Sequence, residues 1–308
     1  MVTKARRSSA KPLPLTRRQR MLQRLLQLPI HLVLWILSLL GARRVHHLAS
    51  HPRTADIVTW LIRKLLRRQR LYCEHNFNEI LGERSRAERE QIQREFYQNM
   101  LVTIVDGMNR PPASPDPKDI NCAGLQHLDD HPNGIIFVSC HLYGWEISRL
   151  NLFRMGVPVY SLYRDFSDRL LNHRDFNSRN RFGDPQYYIP TWDTRRMVEH
   201  IRQGDNAFLF VDVRNKKGRN GKLLPFCGKP AWTSTFAASM ALAHNKPIIP
   251  VYIRQDKSGQ WQQWFEPPID LSSGDPVVIT QLINDSMSAQ IMARPQCWAL
   301  WDNNRWGL

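Results

Sequence analysis

The chain of 308 residues has no paired cysteines and few acids. Its five cysteines, Cys73, Cys122, Cys140, Cys227 and Cys297, are odd in number and scattered, and none forms a Cys-x-x-Cys. That argues against a zinc site or a disulfide framework and fits a reducing compartment. Asp and Glu number 27 against 43 Lys and Arg, a net charge of +16. Such a balance concerns partners rather than fold: nucleic acid, an anionic membrane or an acidic protein. Phosphate-loop and dinucleotide signatures are also missing. Gly218-Arg219-Asn220-Gly221-Lys222 is too short for a P-loop, no GxGxxG opens a strand–helix unit, and HExxH is absent. His46, His47 and His51 cluster without cysteine or acidic company, so no metal is expected. With 42% hydrophobic and 23% charged residues, the composition excludes a disordered chain, a collagen and a multi-span transporter.

What is present begins with a basic leader. Residues 1–24 carry Lys4, Arg6, Arg7, Lys11, Arg17, Arg18, Arg20 and Arg24 and no acid. The uncharged stretch Leu25–Ala42 follows, which as a helix reaches about 27 Å, barely a bilayer core. Three readings compete: a cleaved signal peptide, a single span, or a helix that dips into one leaflet or lies at the surface. No A-x-A-like site follows, only Arg43, Arg44, His46 and His47. Cations on both flanks pull both ends to one side, which favours the dipping helix. Residues 54–72 continue with a helical apolar stripe (Ile57, Val58, Leu61, Ile62, Leu65, Leu66) and a basic side, either on lipid or solvated.

Ser85-Arg86-Ala87-Glu88 is a capping box, opening a helix whose stripe is Ile92, Phe96, Met100 and Ile104. The proline-rich run 111–117 then reads as a linker. The expected organisation is a basic leader 1–24, a membrane-associated helix 25–42, a helical part 43–110 and an α/β part 118–308. In that last part strands are expected at 134–139, 158–163, 187–190, 206–212 and 247–253. Helices are expected at 145–155, 167–181, 194–203 and 232–244, with a loop and a short strand near 261–265 over 256–276. Strand–helix alternation predicts an α/β fold: a mixed, mostly parallel sheet flanked by helices, with an amino-terminal membrane-associated helical part.

The sharpest feature is Ser139-Cys140-His141-Leu142-Tyr143-Gly144-Trp145-Glu146. A buried strand delivers His141 at its carboxyl end, the edge where α/β sheets bind ligands. On one continuous helix His141 and Glu146 would lie about 140° apart. They meet only if the chain turns between them, which Gly144 permits, with Glu146 in the first turn of the next helix. There the carboxylate would hydrogen-bond the imidazole and fix its tautomer, making a general base for an alcohol. Should the reaction pass through an oxyanion, backbone N–H groups near the Tyr143–Trp145 turn are candidate donors. A Cys140 nucleophile is disfavoured, because neighbouring strand-end residues point to opposite faces.

An apolar strand, then histidine, four residues and an acid resembles the glycerolipid acyltransferase superfamily. With Gly144-Trp145-Glu146 it is similar to the bacterial late acyltransferases of lipid A assembly. Further matches are Tyr163-Arg164, Arg179-Asn180-Arg181-Phe182-Gly183, the strand-end Asp212, Pro225-Phe226-Cys227-Gly228, and Trp301-Asp302-Asn303-Asn304-Arg305-Trp306. The chain departs from the pattern at Asn303, where the family ending has histidine, in its long leader and in the heavy positive charge of 212–230.

The resemblance implies transfer of a fatty acyl chain from an acyl carrier protein thioester to a hydroxyl of a lipid A precursor. His141 and Glu146 would be catalytic, Arg164, Arg179 and Asp212 supporting or substrate-binding, with no metal and no cofactor beyond the thioester co-substrate. Implied partners are acyl carrier protein, a phosphorylated lipid acceptor and a membrane surface. The implied location is the bacterial inner membrane, with the catalytic part facing the cytoplasm, where the carrier protein is. The alternatives are an acyltransferase acting on a lysophospholipid, aminolipid or glycolipid, and a membrane-associated nucleic-acid binder. Against the phospholipid branch, Phe210-Val211-Asp212-Val213-Arg214 replaces its Glu-Gly-Thr-Arg block. Against nucleic acid, the basic runs 63–70 and 214–222 contain no aromatics.

Overall fold

The computed structural model describes residues 67–108, 119–164 and 185–307, apart from 130, 216, 217, 219 and 257, together with a few single positions between 47 and 60. The leader, the apolar stretch 25–42, the proline-rich run and the helix expected at 167–181 lie outside the described residues. Among the described residues no helix is long and apolar enough to cross a membrane.

Two helices precede the sheet, α1 (Arg67–Leu81) and α2 (Arg86–Met108). The capping box at the start of α2 forms as its sequence predicts. Ser85 N–H donates to Glu88 Oε2 at 2.8 Å, and Glu88 N–H donates to Ser85 Oγ at 3.3 Å. Of the α2 stripe, Ile92 and Phe96 are buried and Met100 packs against the same core. Phe77 of α1 meets Trp301 near the carboxyl end, ring centroids 4.7 Å apart. The amino-terminal helices therefore share a core with the sheet that follows.

That sheet is built from β1 (Ile120–Ala123), β2 (Ile136–Ser139), β3 (Val159–Tyr163), β4 (Tyr188–Pro190), β5 (Asn206–Phe210), β8 (Ile248–Gln255) and β9 (Trp261–Phe265). Its order is β1-β9-β8-β2-β5-β3-β4. Strands β8, β2, β5, β3 and β4 run parallel, and β9 is antiparallel to β8. Covered on both faces, the central strands read as apolar runs rather than alternating ones. Ile136, Val138, Ala207 and Leu209 point to one core, Phe137 and Phe208 to the other. Helix α3 (Trp145–Arg154) supplies Leu152 to the second core. Helices α4 (Thr194–Gln203), α5 (Phe236–His244) and α6 (Pro276–Ala293) join α1 and α2 on the first. The fold is thus mixed α/β with a mostly parallel sheet flanked by helices.

The carboxyl-terminal third departs most from expectation. The charged stretch 214–229, where no strand is expected, contributes to a hairpin of β6 (Gly221–Phe226) and β7 (Lys229–Ser234). The helix expected from 232 starts only at Phe236, because Ala231–Ser234 pair with Gly221–Leu224. The long helix α6 was not anticipated. Asp275 caps it, accepting from Val277 N–H at 2.7 Å, and Pro276 begins it.

Candidate functional site

Strands β2 and β5 are parallel neighbours with Ser139 opposite Phe210. Continuing that register by two residues brings His141 opposite Asp212, at the carboxyl edge of the sheet. Partners in register project to the same face. The imidazole and carboxylate meet for that reason: His141 Nδ1 lies 2.8 Å from Asp212 Oδ1. Asp212 Oδ2 accepts the His141 backbone N–H at 2.7 Å and the indole N–H of Trp298 at 2.8 Å. A carboxylate as buried as Asp212 (0% exposed) is costly without such bonds, and here both oxygens are bonded.

The electrostatics follow from this arrangement. Burial alone would push the Asp212 carboxyl up, but His141, its backbone N–H and Trp298 outweigh burial and hold it below its ordinary value. Burial likewise disfavours the imidazolium, yet the Asp212 charge and hydrogen bond, joined by the charge of Glu146, raise His141 above its ordinary value. An ionised Asp212 can only accept, so the neutral imidazole is assigned its proton on Nδ1, which leaves Nε2 as the acceptor. The ring lies between Phe210, centroids 4.4 Å apart, and the edge-on Trp145 at 5.5 Å, and its side chain keeps 22% exposure.

Gly144 makes the turn that the sequence requires. It is the N-cap of α3 with φ +90°, and a Cβ there would stand 2.3 Å from the ring of Trp261. Glu146 does fall in the first turn of α3, as expected, but the tautomer-fixing place on Nδ1 belongs to Asp212. The Glu146 carboxylate instead accepts from Arg149 Nε at 3.4 Å, one helical turn on. Arg149 is itself buried. Its guanidinium donates to the hydroxyl of Tyr188 and stacks over that ring at 4.1 Å. Glu146 acts on His141 through its charge.

Arg164 is exposed just past β3, and β5 separates β3 from β2. That puts it about 10 Å along the sheet from the histidine strand. Arg179 lies outside the described residues. The Tyr143 and Trp145 N–H groups are not open oxyanion donors. Tyr143 N–H bonds the carbonyl of Cys297 at 2.7 Å, and Trp145 N–H that of Leu142 at 3.0 Å. Cys140 is buried in the core, and burial pushes its thiol well above the ordinary range, so it is no nucleophile. A groove of about 390 Å³ opens beside Leu142 and Tyr143, with Arg254, Arg294, Glu95 and Asp256 among its lining. Among the described residues no group of three or more His, Cys, Asp or Glu gathers as a metal site would need.

Sequence reasoning missed Arg149 and Trp298. The first carries a signal, a charge three residues after Glu146 on an otherwise apolar helix face. The second carries none, since it lies 86 residues from the carboxylate it serves. The carboxyl-terminal Arg305 is structural: buried, it donates to the Trp232 carbonyl at 2.6 Å and to Thr233 Oγ1 at 2.9 Å on β7. The backbone carbonyl of Asn303 accepts from Asn76 Nδ2 of α1 at 2.7 Å.

A family model described as bacterial lipid A biosynthesis acyltransferase matches residues 16–307, nearly the whole chain. No curated protein matches it.

Proposed function

The chain belongs to the bacterial lipid A biosynthesis acyltransferase family, and from that premise we propose how it transfers its acyl group. The donor is an acyl carrier protein thioester and the acceptor a hydroxyl of a lipid A precursor. His141 Nε2 takes the acceptor's proton as the oxygen attacks the thioester carbonyl. The tetrahedral intermediate collapses with cleavage of the C–S bond, and the thiolate leaves, taking up the proton that the imidazolium holds. The thiol is a good leaving group, so no covalent enzyme intermediate is needed.

The single observation that carries this reading is the 2.8 Å bond between His141 Nδ1 and a buried, triply bonded Asp212 carboxylate. Asp212 orients the ring and stabilises its cationic form. Glu146, tied to Arg149, adds a second negative charge that favours the imidazolium. Arginine binds phosphate in a bidentate manner, and Arg164 and Arg179 are proposed to hold phosphates of either substrate. The excess of positive charge suits all three implied partners, the carrier protein, the phosphorylated lipid and an anionic membrane surface. The inner membrane, with the catalytic part on the cytoplasmic side, follows from the donor's location and the same-side reading of residues 25–42.

The test uses the purified full chain with acyl carrier protein thioester and a lipid A precursor. Mass spectrometry is expected to find the precursor heavier by one acyl chain and His141→Ala to abolish that product. A wild-type enzyme that leaves this precursor unchanged while acylating a lysophospholipid would overturn the acceptor. An active His141→Ala would overturn the base.

A further inference from the structure

Both halves of the histidine–aspartate pair are held by a segment that lies far along the chain. Residues 297–299, just beyond the carboxyl end of α6, run antiparallel to residues 141–143. Leu142 and Trp298 form a two-residue β-bridge. Tyr143 N–H donates to the Cys297 carbonyl at 2.7 Å, and Ala299 N–H to the His141 carbonyl at 2.8 Å. Trp298 lies between these two bonds, 0% exposed, and its indole reaches across to Asp212 Oδ2 at 2.8 Å. The segment is anchored in turn on α2, where Asn99 Nδ2 donates to the Gln296 carbonyl at 2.9 Å.

We propose that Trp298 is a positioning residue of the acyl transfer, its indole N–H fixing the Asp212 carboxylate and drawing off part of the negative charge that Asp212 presents to His141. The inference rests on the proposed role of His141 as base and adds to it a residue that acts through Asp212. Indole is suited to the task. It donates and does not accept, so it can satisfy a buried carboxylate oxygen without competing for the histidine proton. Its body fills a slot among Phe226, Trp301 and Trp306, with ring centroids 5.9, 4.9 and 5.7 Å away. That packing gives the N–H one direction only.

The sign of the effect is specific. Taking a donor from Asp212 makes the carboxylate more basic, strengthens its bond to Nδ1–H and raises the affinity of His141 for a proton. Replacing Trp298 must therefore move the acid limb of the pH–rate profile upward. A merely structural tryptophan would lower the melting temperature and leave the limb where it is.

The experiment measures kcat, KM and the pH–rate profile of the full chain carrying Trp298→Phe. Because Phe leaves a cavity, a second enzyme carries benzothienylalanine at 298, which keeps the bicyclic shape and lacks the N–H. The expected result in both is a kcat about tenfold lower with KM little changed, and an acid limb displaced to higher pH. A limb that stays in place or moves down in the benzothienylalanine enzyme overturns the proposal. His141→Ala run alongside separates the two levels. If it keeps activity the base assignment itself fails, whereas an inactive His141→Ala beside an unmoved limb sinks only the role of Trp298.

Discussion

His141 Nδ1 lies 2.8 Å from the Asp212 carboxylate, whereas Glu146 bears on the ring by charge from the first turn of α3. Gly144 turns the chain and Glu146 falls in the first turn of α3. Arg149, three residues on, accompanies the Glu146 carboxylate, and the neighbouring strand β5 delivers the Asp212 carboxylate in register with His141. The two acids now make separable predictions. Both raise the affinity of His141 for a proton, Asp212 by charge and hydrogen bond, Glu146 by charge alone. The acid limb of the wild-type profile is expected above the ordinary histidine value of 6.5, since the base must be neutral to act. Asp212→Asn should shift that limb down and cost about two to four orders of magnitude in kcat by releasing the tautomer. Glu146→Gln should shift it down by less and cost at least about tenfold. A larger shift from Glu146→Gln than from Asp212→Asn would reverse the assignment. The same pair gives stability a pH dependence. The histidine's share is full below 6.5 and fades as pH rises through its raised folded value. The aspartate's share is present above 3.8 and fades as pH falls through its lowered one.

Among the elements, the turn between β2 and α3 is the one on which the site depends most. Only glycine takes φ +90° without strain, and the Trp261 ring leaves no room for a side chain. Gly144→Ala is therefore expected to displace the start of α3. We expect it to lower the melting temperature by several degrees and kcat by more than tenfold, measured by thermal unfolding and initial rates. Unchanged values in both would show the turn to be dispensable. Elements were legible where they carry their own punctuation. Helix α4 falls on 194–203 with Gly204 in the left-handed conformation behind it, and the capping box opens α2. The β6–β7 hairpin was hidden because Pro225, Cys227-Gly228 and Pro230 look like loop text. What makes it a hairpin is its burial against α6 and the carboxyl-terminal tail, through Asn284 to the Pro225 carbonyl and Arg305 to the Trp232 carbonyl.

Taken whole, the molecule assembles its site from three remote stretches, the ends of β2 and β5 and the segment after α6. The sequence could announce the first two, because buried parallel strands must end somewhere and polar residues at those ends stand out against IIFVS and NAFLFVD. It could not announce strand order. Nothing local says that β5 inserts between β2 and β3, yet that placement is what gives His141 its carboxylate. Nor could it announce Trp298, one of ten tryptophans and set apart only by where its N–H points. Base catalysis here requires that this assembly leave the proton on Nδ1 and the lone pair on Nε2. Nitrogen-15 NMR of the full chain with labelled histidine, assigned by comparison with His141→Gln, reads this directly. Above the histidine's titration, Nδ1 of His141 is expected protonated and Nε2 bare. A proton found on Nε2, with Nδ1 bare against Asp212, would contradict it.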